Sequence, residues 1–159
     1  MASNNSGVIG VSLTDTPSDN TLGSGGHALG TRVTVSDGGE AIFVQANGAI
    51  TAYDAVGIDE DYQAAALTKA MADDGWMIGF AQVAFADNDF GWVHIKGSNI
   101  RGRGAAACQP DVALYTSATA GVLDDTSASQ TKINGVVFVA TASGTNAEVI
   151  ATFPRSTTF

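Results

Sequence analysis

The sequence has few charged side chains, and few of those are basic. Seven Lys and Arg stand against sixteen Asp and Glu in 159 residues, charged residues make up 14% of the chain, and the formal net charge is −9. An ordinary soluble domain is about 25% charged. Nucleic-acid binding requires clustered Lys and Arg that neutralise phosphates, and the closest basic pair here is Arg101 and Arg103. The composition therefore predicts no nucleic-acid partner.

Cysteine and long apolar runs are also scarce. Cys108 is the only cysteine, which excludes an intrachain disulfide and a thiolate metal cluster, and its Ala-rich surroundings predict a small buried residue. No apolar run approaches 18 residues, and the N-terminus lacks the basic and apolar regions of a signal peptide. We expect a protein that is made in the cytoplasm and has no membrane partner.

Residues that carry catalysis are sparse. His27 and His94 lie far apart, so neither a zinc site nor a nucleophilic triad is expected, and no Gly-x-Ser-x-Gly elbow is present. Four carboxylate pairs occur at predicted turns, where Asp caps backbone amides: Asp59/Asp61, Asp73/Asp74, Asp87/Asp89 and Asp124/Asp125. The segment Asp87–Gly91 resembles part of a calcium loop but lacks its later Glu. The sequence predicts no enzyme, no cofactor and no metal.

The first thirty residues form a distinct segment without Lys, Arg or aromatic residues. Ser, Asn, Gly, Thr and Asp dominate it, which leaves too little apolar surface to offset the entropy of ordering. We predict an extended N-terminal arm over residues 1–30 that a partner subunit holds through Val8, Ile9, Val11 and Leu13. The alternative is that the arm folds back on its own domain. His27 falls in the Gly-rich end of the arm and is expected to be exposed.

Residues 31–159 read as short strands separated by turns. Alternating or apolar runs bounded by Gly, Asn and Asp are typical of strands, and they occupy residues 31–35, 41–44, 56–58, 76–84, 90–95, 113–116, 121–123, 135–140 and 147–153. Residues 63–72 are compatible with a helix. Many short strands predict an all-β domain, either a small barrel or a sandwich.

An approximate internal repeat relates residues 43–98 to residues 99–154. A shift of 56 residues without a gap places Val56 on Val112, Gly79 on Gly135 and Val93 on Val149. The Gly and strand-core positions stay in phase throughout the shift. We therefore expect two similar β-units packed into one domain.

The candidate interface residues of the β domain lie between residues 92 and 103. Trp92, His94 and Lys96 share one face of a predicted strand. Because His and Lys rarely point into a core, we expect this face to contact a partner, with a core role for Trp92 as the alternative. Arg101 and Arg103 either meet acidic groups of a neighbouring subunit or are solvated.

The chain after the arm resembles small head-decoration (cement) proteins of tailed bacteriophages, most clearly in its second half. The similarity covers about residues 31–159 and rests on DFGWVHIKGSNIRGRGAAACQPDVALYTSATAGVLDD from Asp89, followed by INGVVFVATASGTNAEVIATF. Its elements are a Gly-Trp-Val strand, an Ala-rich segment before Val112, and a final Glu-Val-Ile-Ala strand. The resemblance implies an accessory subunit on the capsid exterior that stabilises contacts between major capsid proteins. It implies no catalytic residues.

Three functions remain open from the sequence. The first is a structural virion protein that binds the major capsid protein and forms a homo-oligomer, with a trimer favoured over a dimer. The second is a carbohydrate-binding or adhesin module of a virion or cell surface, with stacking faces from Trp76, Trp92, Tyr53, Tyr62 and Tyr115. The third is a small hydrolase that uses an Asp pair, which requires two carboxylates converging in a pocket.

Overall fold

Ten strands and one short helix are present in a computed structural model of the protein, which describes residues 11–20, 26–142 and 146–157. The protein is all-β, as the sequence predicts. The strands, in chain order, are β1 (Arg32–Thr34), β2 (Glu40–Ala46), β3 (Ala55–Ile58), β4 (Gln63–Ala66), β5 (Met77–Ala81), β6 (Phe90–Gly102), β7 (Leu114–Thr116), β8 (Leu123–Asp124), β9 (Lys132–Phe138) and β10 (Ala147–Ser156).

The helix-compatible segment is divided between a strand and a helix. Gln63–Ala66 forms β4, and the helix α1 covers only Lys69–Asp73. Pairing of β4 with both β2 and β3 overrides the helical preference of its alanines, because Ala64 is buried within the sheet. The helix begins after Thr68, whose hydroxyl accepts a hydrogen bond from the Met71 amide. No helix in the described ranges is long and apolar enough to cross a membrane.

The first half of the sheet closes into a ring of five strands. The strand order is β1-β2-β4-β3-β5-β6-β10-β9-β7-β8, and β2 pairs in addition with β6. Strands β2, β4, β3, β5 and β6 therefore surround one core. Its side chains are aliphatic or aromatic and fully buried, and they include Ile42, Val44, Val56, Ile58 and Val93.

The second half of the sheet has the same pairing order. Ile58 pairs with Met77 between β3 and β5, and 56 residues further on Leu114 pairs with Ile133 between β7 and β9. The parallel pairing of β2 with β4 has its counterpart in a parallel bridge from Gly104, just after β6, to Leu123 of β8. Strands β6, β10, β9, β7 and β8 thus line a second core, to which Ala55, Ile78 and Phe80 of the first half also contribute. Strand β6 belongs to both halves.

A buried ion pair joins the two halves. Asp54, between β2 and β3, accepts a 2.5 Å bond from the Arg103 guanidinium just after β6, and its other oxygen accepts a 2.8 Å bond from the Thr51 amide. The Arg103 amide also donates to the Tyr53 carbonyl at 2.8 Å. Asp54 is buried but the Arg103 side chain is 27% exposed, so removing Arg103 should cost less than the roughly 3–5 kcal/mol of a fully buried pair. This contact therefore fixes the start of the second half against the first.

Candidate interaction surfaces

The described part of the arm packs on its own domain. Val11 and Leu13 are only 7% and 2% exposed, and they share a core with Phe43 and Trp92. The Pro17 carbonyl accepts a 2.8 Å hydrogen bond from the Phe90 amide. Residues 11–20 thus follow the alternative in which the arm folds back on its own domain. Val8 and Ile9 lie outside the described residues.

The prediction of an exposed face on β6 is wrong for two of its three residues. Trp92 is 2% exposed and His94 is 6% exposed, whereas Lys96 lies at the surface. Trp92 and His94 share one face as expected, but a bulge at Ile95 interrupts the alternation before Lys96, and the arm and Phe43 cover the Trp92 end of that face. Lys96 lies 3.7 Å from the Glu40 carboxylate and 5.6 Å from the centre of the Phe153 ring.

His94 is buried, and its Nδ1 atom has no hydrogen-bond partner among the residues that the structure describes. Burial lowers the pKa of His94, because the charged imidazolium loses its hydration, and the negative charge of Asp37 opposes part of this effect. A neutral imidazole is therefore favoured in the folded protein.

His27 is half-buried, so its predicted exposure is also wrong. Its ring lies 5.1 Å from Trp92 and 5.3 Å from Phe43, in edge-to-face arrangements. The Asn20 side chain donates to the His27 carbonyl and accepts from the His27 amide, both at 2.9 Å. These bonds hold this part of the arm against the core.

The two arginines have different surroundings. Arg103 pairs with Asp54 of its own chain, so the acidic partner expected from a neighbouring subunit is intramolecular. Arg101 is exposed, and its guanidinium donates to Asn146 at 3.0 Å.

Carboxylates of the four Asp pairs hold local backbone and helix contacts. Asp59 accepts from the amides of Asp61 and Gln63, Asp87 from Gly48, Asp89 from Ala86, Asp124 from Thr126 and Asp125 from Gln109. Asp73 pairs with Lys69 and accepts a hydrogen bond from Thr131. Hydrogen bonds from Lys69 and, with a smaller effect, from Thr131 lower the pKa of Asp73. No metal-binding group of three His, Cys, Asp or Glu occurs among the residues that the structure describes.

Cys108 is buried against the second core. Burial raises the pKa of its thiol to about 11, and the negative charges of Asp125 and Asp124 act in the same direction. A thiolate is therefore strongly disfavoured at neutral pH.

An apolar stripe lies on the outer face of β9 and β10. It consists of Val137 and Ile150 within these strands, Val139 directly after β9, and Val112, which lies beside them two residues before β7. Val112, Val139 and Ile150 are 37%, 45% and 44% exposed, and Ile150 is paired directly with Val137 across the two strands. Phe153 is the other large hydrophobic residue with comparable exposure in the described ranges.

The stripe is not among the predicted interface residues, although the apolar runs in the sequence contain a signal for it. Residues 136–139 are apolar on both faces of the strand, and so are residues 149–151. In a strand with one solvated face, alternate residues are polar. Apolar residues on the outer face therefore indicate an exposed hydrophobic patch.

Charged side chains of opposite sign lie at the two ends of the stripe. Lys132 begins β9, and Arg155 is paired with Asn134 at the same end. At the other end, the Val139 amide donates to the Glu148 carbonyl at 2.9 Å and the Asp111 amide donates to the Phe138 carbonyl at 3.1 Å. None of these four side chains forms an ion pair with another described residue.

A groove of about 490 Å³ lies near the cationic end of the stripe. Trp76, Met77 and Phe153 form its apolar lining, with Arg32 and Arg155 among its polar residues. Trp76 is half-buried, as are Tyr53, Tyr62 and Tyr115, while Trp92 is buried. The five aromatic residues proposed for stacking therefore do not form an exposed row.

Comparison of the chain with protein-family models and with curated proteins gives no match.

Proposed function

We propose that this chain is a structural protein of a phage head, which binds the capsid exterior and stabilises contacts between major capsid proteins. The proposal combines the resemblance of residues 31–159 to head-decoration proteins with the apolar stripe on β9 and β10. The stripe carries most weight. Three large hydrophobic side chains with more than a third of their surface exposed lie on or beside β9 and β10.

Such a protein acts mechanically. Each copy adds apolar contact between neighbouring subunits, and many copies on a lattice act together, so that separating capsomers requires breaking additional interfaces. The rigidity of the body suits this role. The shared strand β6 and the Asp54–Arg103 ion pair tie the two halves together, so that load applied to one half passes to the other.

The test uses purified, washed heads produced with and without this chain. We expect the chain to remain on the washed heads, and we expect heads that lack it to release their DNA at a lower temperature or at a smaller osmotic shock. Heads that never carry the chain, or that lose it with unchanged thermal and osmotic stability, contradict the proposal.

A carbohydrate-binding module is the second candidate, and the groove of Trp76 and Phe153 is the observation that favours it. Aromatic rings at the wall of a groove provide stacking faces for sugars. Screening the isolated protein against immobilised glycans tests this candidate. Saturable binding that Trp76→Ala abolishes and Tyr115→Ala preserves supports it, whereas absence of binding leaves the groove without this role.

A further inference from the structure

We infer that the apolar stripe is a two-fold, self-complementary contact through which two copies of this chain associate. The inference deepens the proposed function, on which its biological use rests, by naming the symmetry and the residues of self-association. Its physical basis is the distribution of charge along the stripe, which depends on the described residues alone.

The centre of the stripe is apolar and faces outwards. Val137 and Ile150 are opposite one another, and the inward-facing neighbours Phe138 and Val149 fill the second core. Because the core already holds these inward residues, no rotation of the strands can bury the outer set. A second protein surface is what removes the outer side chains from water.

The ends of the stripe differ in sign. Lys132 and Arg155 lie at one end, and Asp111 and Glu148 lie at the other. A two-fold axis level with Val136 and Ala151, the pair next to Val137 and Ile150, brings the cationic end of one copy against the acidic end of the other. The same contact occurs twice, as an isologous interface requires. Because a chain with net charge −9 repels its own copies, opposite charges at matching positions favour this orientation of the two copies.

The geometry favours a dimer, in contrast to the trimer that the sequence analysis favours. In a head-to-tail trimer, the surface that contacts one neighbour differs from the surface that contacts the other. Here positive and negative side chains flank the same apolar stripe. One surface therefore contains the apolar centre and both charged ends that a two-fold contact requires.

Mass measurement of the full chain tests the inference directly. We expect sedimentation equilibrium of the wild-type protein to give a concentration-dependent mass that approaches two chains. Ile150→Ser removes the apolar centre and is expected to give a monomer. Its thermal midpoint should equal that of the wild type at concentrations too low for dimerisation, because Ile150 is 44% exposed in the single chain.

Charge reversal identifies the symmetry. Lys132→Glu and Glu148→Lys each place like charges at two symmetry-related contacts, and we expect each to weaken dimerisation about tenfold per contact and about a hundredfold in total. The double variant Lys132→Glu/Glu148→Lys restores opposite charges and is expected to dimerise. An equimolar mixture of the two single variants is also expected to give a mixed dimer. Glu60→Lys, on the exposed turn after β3, is the matched control and leaves the mass unchanged.

Several outcomes overturn the inference: a monomeric wild type at every concentration, a trimeric mass, or a dimer that survives Ile150→Ser. Single variants that remain monomeric when mixed also overturn it. These results are independent of the assay with heads. A dimer in solution that is absent from washed heads removes the proposed function and preserves the contact. A monomer that stabilises heads preserves the function and removes the contact.

Discussion

The position of Gly121 leaves no room for a side chain. Its φ is +77°, in the left-handed region, and a Cβ atom there overlaps the Cγ atom of Asp54. The Gly121 carbonyl accepts a 2.9 Å hydrogen bond from the Ala55 amide, and its own amide donates to Leu67 at 2.9 Å. The residue thus packs the second half of the sheet tightly against the carboxylate that joins it to the first.

Comparison of Gly121→Ala with Gly38→Ala separates crowding from backbone strain. Gly38 has φ +79°, and a Cβ atom there meets nothing within 4 Å. We expect Gly38→Ala to reduce the free energy of unfolding by about 1–2 kcal/mol. Gly121→Ala should cost about 1–3 kcal/mol more, because Asp54 has to move. Urea denaturation measures both values. Equal losses contradict the crowding that the structure assigns to Gly121.

At the scale of the elements, alternation along β6 predicts which side chains share a face but not what covers that face. Trp92 and His94 do lie on one side of the strand, but a bulge at Ile95 interrupts the alternation before Lys96. The residues that cover Trp92, which include Val11 and Leu13, lie about 80 positions earlier in a segment of low apolar content. Local pattern carries no information about such a distant contact. The all-β class was predictable because turn residues and apolar periodicity are local signals.

Leu13→Ala tests whether the arm is part of the folded body. Leu13 is 2% exposed and packs with Trp92, so the truncation is expected to reduce the free energy of unfolding by about 2–5 kcal/mol. Ser12→Ala, at the adjacent exposed position, is the control and should have little effect. Chemical denaturation of the isolated protein provides the measurement. A Leu13→Ala protein as stable as the wild type means that the arm does not anchor to its own domain in solution.

At the scale of the whole molecule, burial of His94 makes stability depend on pH. Its pKa in the folded state is below the ordinary value of 6.5, so the unfolded chain binds more protons as the pH falls through 6.5. Stability is therefore complete above about pH 7 and declines towards about pH 5. The negative charge of Asp37 raises the pKa of His94 and so reduces this decline.

His94→Gln is expected to flatten the change in stability between about pH 7 and pH 5, whatever its effect on stability at neutral pH. Thermal unfolding of both proteins across this range measures the slope. The ordinary Asp and Glu side chains titrate mostly below this range, so they leave the difference between the two slopes intact. Identical slopes in the two proteins would assign the acid sensitivity to other groups.

The shared strand β6 also limits how this molecule can come apart. In a protein made of two similar halves joined by a linker, one half can unfold while the other stays folded. Here the strand that closes the first ring continues into the wall of the second, and β2 and β10 both pair with it. Loss of either half exposes the core of the other along β6. The duplicated architecture therefore behaves as one indivisible unit, in which damage to one half spreads to both.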